Sequence, residues 1–171
     1  TFHSICLRFI KEHIEYTRIK KNYRTLDDFD QTYTVFQNIR RFRNLQDFDV
    51  AITETGAWRQ AKEICLYANN LAEEMVEASD LMTDGEPAIA AIGRIIEEYQ
   101  DLLAENNLLD FSGIQTEAFH LINDNEEVLE EIRGKIKYLM IDEYQDTNYI
   151  QEQLVFLFGW RKQKYLCCWR R

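Results

Sequence analysis

Apolar positions along this chain recur mostly every three or four residues, and one stretch breaks the rule. Ile5, Cys6, Phe9, Ile10 and Ile14 stand at helical spacing. Leu26-Asp27-Asp28 then precedes Phe29, Tyr33, Phe36 and Ile39, which predicts an amphipathic helix capped by Asp. Residues 44–56 are less periodic and hold Gly56, so a loop or short helix is expected there. Trp58, Ala61, Ile64, Cys65, Ala68, Leu71, Ala72, Met75 and Val76 form one stripe of a long helix from Ala57 to near Ser79. Thr83-Asp84-Gly85 marks a turn, and Pro87 suits the first turn of a helix lined by Ile89, Ile92, Ile96, Tyr99 and Leu103. Asp110 is placed to cap a helix carrying Ile114, Ala118 and Leu121. Another short helix runs from Glu126 to Arg133 with Gly134 behind it, and a last one carries Ile150, Leu154, Leu157 and Phe158.

The exception is Tyr138-Leu139-Met140-Ile141, four residues without polar alternation that run into Asp142-Glu143. A short apolar run of this kind predicts a strand buried on both faces in a parallel sheet. Its acids then lie at the strand's carboxyl end, where open α/β sheets place their ligands. Adjacent carboxylates there suit nucleotide hydrolysis, since one can hold Mg²⁺ and the other can polarise water. An acidic, solvated turn is the plainer reading of the same two residues. Lys164-Tyr165-Leu166-Cys167-Cys168 begins as the next parallel strand should.

Composition narrows the class. At 171 residues the chain can bury one core, or a core and a small satellite, and its scarcity of Pro and Gly points to a helix-rich globular protein. No apolar run approaches the roughly 18 residues of a membrane span. Arg8, Lys11 and Glu12 interrupt any signal-peptide pattern at the start. Cys6, Cys65, Cys167 and Cys168 lack metal-ligand spacing and fit free thiols of a reducing cytosol. The net charge of −10 is uneven: +4 over residues 1–45, −18 over 46–131 and +4 over 132–171. An acidic middle between mildly basic ends fits a helical insertion in a DNA-facing domain, and equally a solvated acidic face.

The longer string adds an identity to this chemistry. Asp142-Glu143-Tyr144-Gln145-Asp146-Thr147-Asn148 resembles, at every position, the Walker B motif of the UvrD/Rep/PcrA family of superfamily 1 DNA helicases. Thr1-Phe2-His3-Ser4, followed by Leu7-Arg8, resembles the family's DNA-contact element, and Leu108-Leu109-Asp110-Phe111 resembles the element where the chain returns to the ATP-binding domain. Ser112-Gly113 stands where many relatives carry further acids. The resemblance implies an α/β fold, mostly helical overall: a partial RecA-like P-loop NTPase domain with a parallel sheet and an inserted all-helical subdomain. Residues 1–26 and 105–171 would form the RecA-like part, and 27–104 the helical 1B-like insertion.

The resemblance also implies roles. Asp142 would coordinate the Mg²⁺ of MgATP, Glu143 would act as general base toward the hydrolytic water, and Gln145 would help link the nucleotide site to the DNA site. Thr1, Phe2, His3 and Ser4 would contact single-stranded DNA. Read alone, Phe2 fits a core residue and Ser4 a helix cap. The implied parent is a cytoplasmic ATP-dependent helicase moving 3′ to 5′, with ATP and Mg²⁺ as cofactors, junction DNA as substrate, no membrane, and accessory repair or replication proteins. Its N-terminal region is what this chain covers. With no Gly-x-x-x-x-Gly-Lys-[Ser/Thr] run among the 171 residues and no second RecA-like domain, the chain alone is expected to be inactive. The alternative is a non-catalytic helical interaction module or a frameshifted gene remnant, since Cys-Trp-Arg-Arg replaces the Gly-Asp that relatives carry after Cys167.

Overall fold

A computed structural model describes residues 1–159 and the backbone of residues 165–168. The chain divides into two units: Thr1–Arg18 with Ile114–Arg171, and the intervening Ile19–Gly113. It is mostly helical with small parallel strand pairs, an architecture compatible with an α/β class. Among the described residues no helix is long and apolar enough to cross a membrane.

The intervening unit opens and closes on a strand pair that periodicity does not announce. β1 (Arg24–Thr25) pairs in parallel with β2 (Leu108–Leu109), so the two ends of the excursion lie side by side. Between them run α2 (Asp28–Gln37), α3 (Ile39–Arg43), α4 (Phe48–Ala51), α5 (Ala57–Glu73), α6 (Ala78–Met82) and α7 (Pro87–Glu105). α2 has the expected cap, with the Asp27 carboxylate accepting from the Asp30 amide at 2.8 Å. Its faces are not the expected ones. Gln31, Thr32 and Val35 are buried, whereas Phe29, Tyr33 and Phe36 are exposed and pack on one another and on Trp58. The inward face is taken by polar residues because a buried carboxylate, described below, recruits Gln31.

The long helix expected to reach Ser79 stops at Glu73. Met75 adopts a left-handed backbone (φ 55°), with its N–H bonded to the Ala72 carbonyl and the Val76 N–H to that of Leu71. This is a Schellman ending with Met where Gly is usual, so neither Gly nor Pro marks the stop. α6 then doubles back onto α7 at Gly93, where a Cβ would lie 2.7 Å from the Met82 backbone nitrogen and 2.8 Å from the Ala78 carbonyl. Leu26, Val35, Phe42, Ile64, Ile95 and Leu102 lie at the centre of the resulting core.

The other unit holds α1 (Phe2–Glu12), α9 (Glu126–Lys135), β3 (Leu139–Asp142), α10 (Tyr149–Gly159), β4 (Tyr165–Cys168) and, from Ile114 onward, α8 (Phe111–Asp124). Thr1, rather than Ser4, caps α1: its hydroxyl accepts from the Ser4 amide. Cys6, Phe9, Ile10, Ile114, Leu121, Ile132, Ile150 and Leu154 are buried here. β3 and β4 pair in parallel from Leu139↔Tyr165 to Asp142↔Cys168. β3 is not covered on both faces: Ile141 is buried while Tyr138 and Met140 are 82% and 70% exposed. Successive side chains of a strand point to opposite faces, so one face of β3 is buried and the other is open. The expectation for Lys164 and for Trp169-Arg170-Arg171 falls outside the described residues.

Candidate functional site

The acids lie at the carboxyl end of β3, which pairs in parallel with β4. Asp142 is the last residue of β3 and is exposed; Glu143 follows, half-buried, with a left-handed backbone (φ 54°). A glutamate there costs on the order of 1 kcal/mol in backbone strain. The turn beyond it explains how that conformation is held. Residues Tyr144–Asp146 form one 3₁₀ turn, in which the Asp146 N–H donates to the Glu143 carbonyl at 2.9 Å. The Thr147 hydroxyl donates to the Tyr144 carbonyl at 2.7 Å, and the Asn148 side chain accepts from the Gln151 amide to start α10. The Tyr144 phenol donates to Glu152 at 2.6 Å, tying the turn to the first turn of α10.

The seven-residue motif thus separates by role. Tyr144, Thr147 and Asn148 build the turn, while Asp142, Gln145 and Asp146 are exposed beside Glu143. The Gln145 amide donates to a Glu143 carboxylate oxygen at 2.5 Å, which orients that carboxylate. Among the described residues no group of three His, Cys, Asp or Glu side chains could hold a metal unaided. One or two adjacent carboxylates at an open strand end fit Mg²⁺, which prefers oxygen ligands and completes its shell with water and substrate phosphates.

Thr1, Phe2, His3 and Ser4 form the cap and first turn of α1. Phe2 is half-buried, Ser4 is exposed, and Ser4, Leu7, Arg8, Lys11 and Glu12 line a shallow depression on the helix. The Arg8 guanidinium sits 5.5 Å from the centre of the Phe9 ring. His3 is half-buried, and its Nε2 lies 2.9 Å from Nε2 of Gln115 on α8. No spacing rule links residues so far apart, which is why Gln115 escapes a reading of the sequence.

Asp110 does cap α8, accepting from the Gly113 amide at 2.7 Å. Its other oxygen accepts from the Tyr99 phenol and, at 3.0 Å, from the Gln31 amide, and the carboxyl group is 3% exposed. Gln31 also donates to Asn69, which accepts from the Ser112 hydroxyl at 3.0 Å. Burial first, and the Asp110 carboxylate second, push the Tyr99 phenol well above its usual value. Gly113 is required by this cap, because a Cβ there would sit 2.5 Å from the Asp110 oxygen. The Ser-Gly pair therefore serves a closed polar network rather than an acidic site.

The model of the UvrD/REP helicase N-terminal domain matches residues 1–168. The chain is 28% identical over 165 residues to the ATP-dependent DNA helicase Rep of Buchnera aphidicola, a match covering 96% of this chain and 23% of that protein. It is 30% identical over 158 residues to the ATP-dependent DNA helicase PcrA of Bacillus subtilis, covering 91% of this chain and 20% of that protein. A probable DNA helicase II homolog of Mycoplasma capricolum is 27% identical over 159 residues, covering 91% and 21%. The chain spans about a fifth of the length of these relatives.

Proposed function

Because the chain belongs to the UvrD/REP helicase N-terminal domain family, we propose that it is the nucleotide- and DNA-engaging N-terminal region of an ATP-dependent DNA helicase that moves 3′ to 5′ in the cytoplasm. The observation that carries this reading is the pair Asp142-Glu143 at the carboxyl end of a parallel strand, with Gln145 already bonded to Glu143. In this reading residues 1–26 and 105–171 belong to a RecA-like domain, and 27–104 are its helical insertion.

Asp142 would hold Mg²⁺ through a carboxylate oxygen, and the ion, when bound with ATP, would neutralise charge on the phosphates. Glu143 would take the proton of the attacking water, which requires its carboxylate ionised and aimed. Gln145 would supply the aim, and by changing partners could report nucleotide state toward the DNA side. Thr1 and Ser4 hydroxyls and the His3 imidazole would meet phosphates, and Phe2 would support a base. The 171 residues contain no Gly-x-x-x-x-Gly-Lys-[Ser/Thr] run, so on their own they lack the backbone cradle for β- and γ-phosphates. Steady ATP turnover by the chain alone is expected to be negligible. Accessory repair or replication proteins are the expected partners of the whole enzyme.

The test uses the protein encoded by the entire locus. Glu143→Gln is expected to abolish ATP-dependent duplex unwinding while nucleotide binding persists, and the intact enzyme should strip streptavidin from a 5′-biotinylated strand faster than from a 3′-biotinylated one. Unwinding that survives Glu143→Gln would sink the assignment. A second reading, a helical interaction module, draws on the acidic middle of the chain, where residues 46–131 balance to −18. That reading predicts no salt-sensitive affinity of the 171-residue chain for single-stranded DNA, whereas a helicase region should bind more weakly as salt rises.

A further inference from the structure

The outward face of α2 is aromatic. Phe29, Tyr33 and Phe36 are 63%, 42% and 37% exposed, and Trp58, on the first turn of α5, is half-buried against them. The Phe29 and Tyr33 rings lie within 7° of parallel with centres 6.0 Å apart, and Phe36 continues the row at 6.4 Å and 27°. Trp58 closes the group, 5.8 Å from Phe29 and 5.5 Å from Phe36. Four rings in mutual contact fill the space between them, so the group presents a surface and not a cage. α2 cannot turn this face inward, because Gln31, Thr32 and Val35 hold the buried side and Gln31 is bonded to Tyr99 and Asp110. Rings held together in water mark a surface that meets a partner.

The chemistry around the rings says which partner. Every base has a π-face and stacks on such rings whatever its sequence. Arg40 follows Phe36 by four residues, and Lys62 follows Trp58 by four on the same face of α5; both are exposed. Their neighbours are spent, Arg41 on Glu98 and Glu105 and Arg59 on Glu54, whereas no ion pair holds Arg40 or Lys62 among the described residues. Asp28 and Asp30 occupy the first turn of α2, where they complement the helix dipole, and Arg40 lies beyond its other end. Open cations beside open rings are the complement of bases strung on an anionic backbone. We propose that Phe29, Tyr33, Phe36 and Trp58 form a stacking platform for single-stranded DNA, with Arg40 and Lys62 as its phosphate contacts. This rests on the helicase reading and extends it, adding a single-strand contact within the helical insertion to the one expected of Thr1, Phe2, His3 and Ser4.

The test uses the full 171-residue chain and an oligothymidylate. Trp160→Phe with Trp169→Phe leaves Trp58 alone of the three tryptophans, and its emission is expected to be quenched as the oligothymidylate is added. Phe29→Ser with Tyr33→Ser should weaken binding of the labelled oligothymidylate about tenfold. Tyr33→Phe, which keeps the ring, should bind as the wild type does. Phe156→Ser removes a 44% exposed ring from the other unit and should also leave binding unchanged. Arg40→Gln and Lys62→Gln should each lower the slope of log affinity against log salt by about 0.7. Thermal melts show that each variant folds, and the two salt slopes read the site without removing a ring.

A Trp58 signal indifferent to DNA, with affinity indifferent to the loss of Phe29 and Tyr33, overturns the proposal. If that affinity then falls in Thr1→Ala and Ser4→Ala, the helicase reading stands without the platform. A chain that sediments as a dimer until Phe29 and Tyr33 are replaced would give this face to a second copy and overturns the proposal too. A chain that binds no single strand also overturns it, while duplex unwinding by the protein of the entire locus judges the helicase reading separately.

Discussion

Asp110 and the Asp142-Glu143 pair are both motif acids placed where an element begins or ends, and the structure treats them in opposite ways. Asp110 is 3% exposed and each of its oxygens accepts from the chain itself: the Gly113 amide on one side, the Tyr99 phenol and Gln31 amide on the other. Asp142 is exposed, and Glu143 is half-buried on a strained backbone with Gln145, itself exposed, as its side-chain donor. A carboxylate whose lone pairs are used internally specifies a fold, because removing it strands several buried donors. A carboxylate at an open strand end specifies less of the fold, because solvent can satisfy what its removal leaves behind. The same residue type is thus closed into the architecture in one unit and left at an open strand end in the other.

The largest expected effect tests that division. Asp110→Ala should destabilise the intervening unit by at least about 3 kcal/mol, since Tyr99, Gln31 and the Gly113 amide all lose a buried partner. Asp142→Asn should stay within about 0.5 kcal/mol of wild type. Urea unfolding followed by circular dichroism decides it, and equal losses in the two variants would erase the contrast.

Glycines sharpen it next. Gly93→Ala puts a methyl against the Met82 and Ala78 backbone and should cost about 1–3 kcal/mol. Gly134→Ala, on α9 with nothing within 4 Å of the added carbon, should instead gain about 0.5 kcal/mol through helix propensity. Thermal melts of the two variants are expected to move in opposite directions.

In one respect the two units should behave alike. Cys6 and Cys65, one in each unit, are buried free thiols, and burial pushes each from the ordinary 9.0 up to about 12. The folded state therefore keeps protons that the unfolded chain releases. Stability is full below the ordinary thiol value and falls as pH rises from there toward 12, by about 1.4 kcal/mol per thiol at pH 10. Urea midpoints across that range should show the decline, and Cys6→Ala and Cys65→Ala should each flatten part of it. A pH-independent midpoint would mean that the thiols are not held protonated.

The last effect has the opposite sign from most substitutions. Glu143→Gly should relieve the left-handed backbone and stabilise its unit by about 0.5–1 kcal/mol, while removing the proposed base. A loss of stability would show that the Glu143 side chain supports the turn, and the acid pair would then be architecture as well.

What the sequence determined by itself lies within one turn or one strand. The Asp27 and Asp110 caps, Pro87 at the head of α7, the strand ending at Asp142 and the seven-residue string after it are legible because capping, φ restriction and short apolar runs act between near neighbours. Family membership followed from the same local strings. What only the tertiary structure decided lies between residues far apart in the chain. Helical spacing placed Phe29, Tyr33 and Phe36 on one face, but which face is buried depended on Tyr99 and Asp110 drawing Gln31 inward. Met75 ends α5 in a conformation its side chain does not advertise, and Gly93 is fixed by the backbone of α6. The partner of His3 is likewise a matter of packing. A hydrogen bond across 112 residues leaves no period in the sequence, because the donor and acceptor meet only after the helices that carry them have been placed.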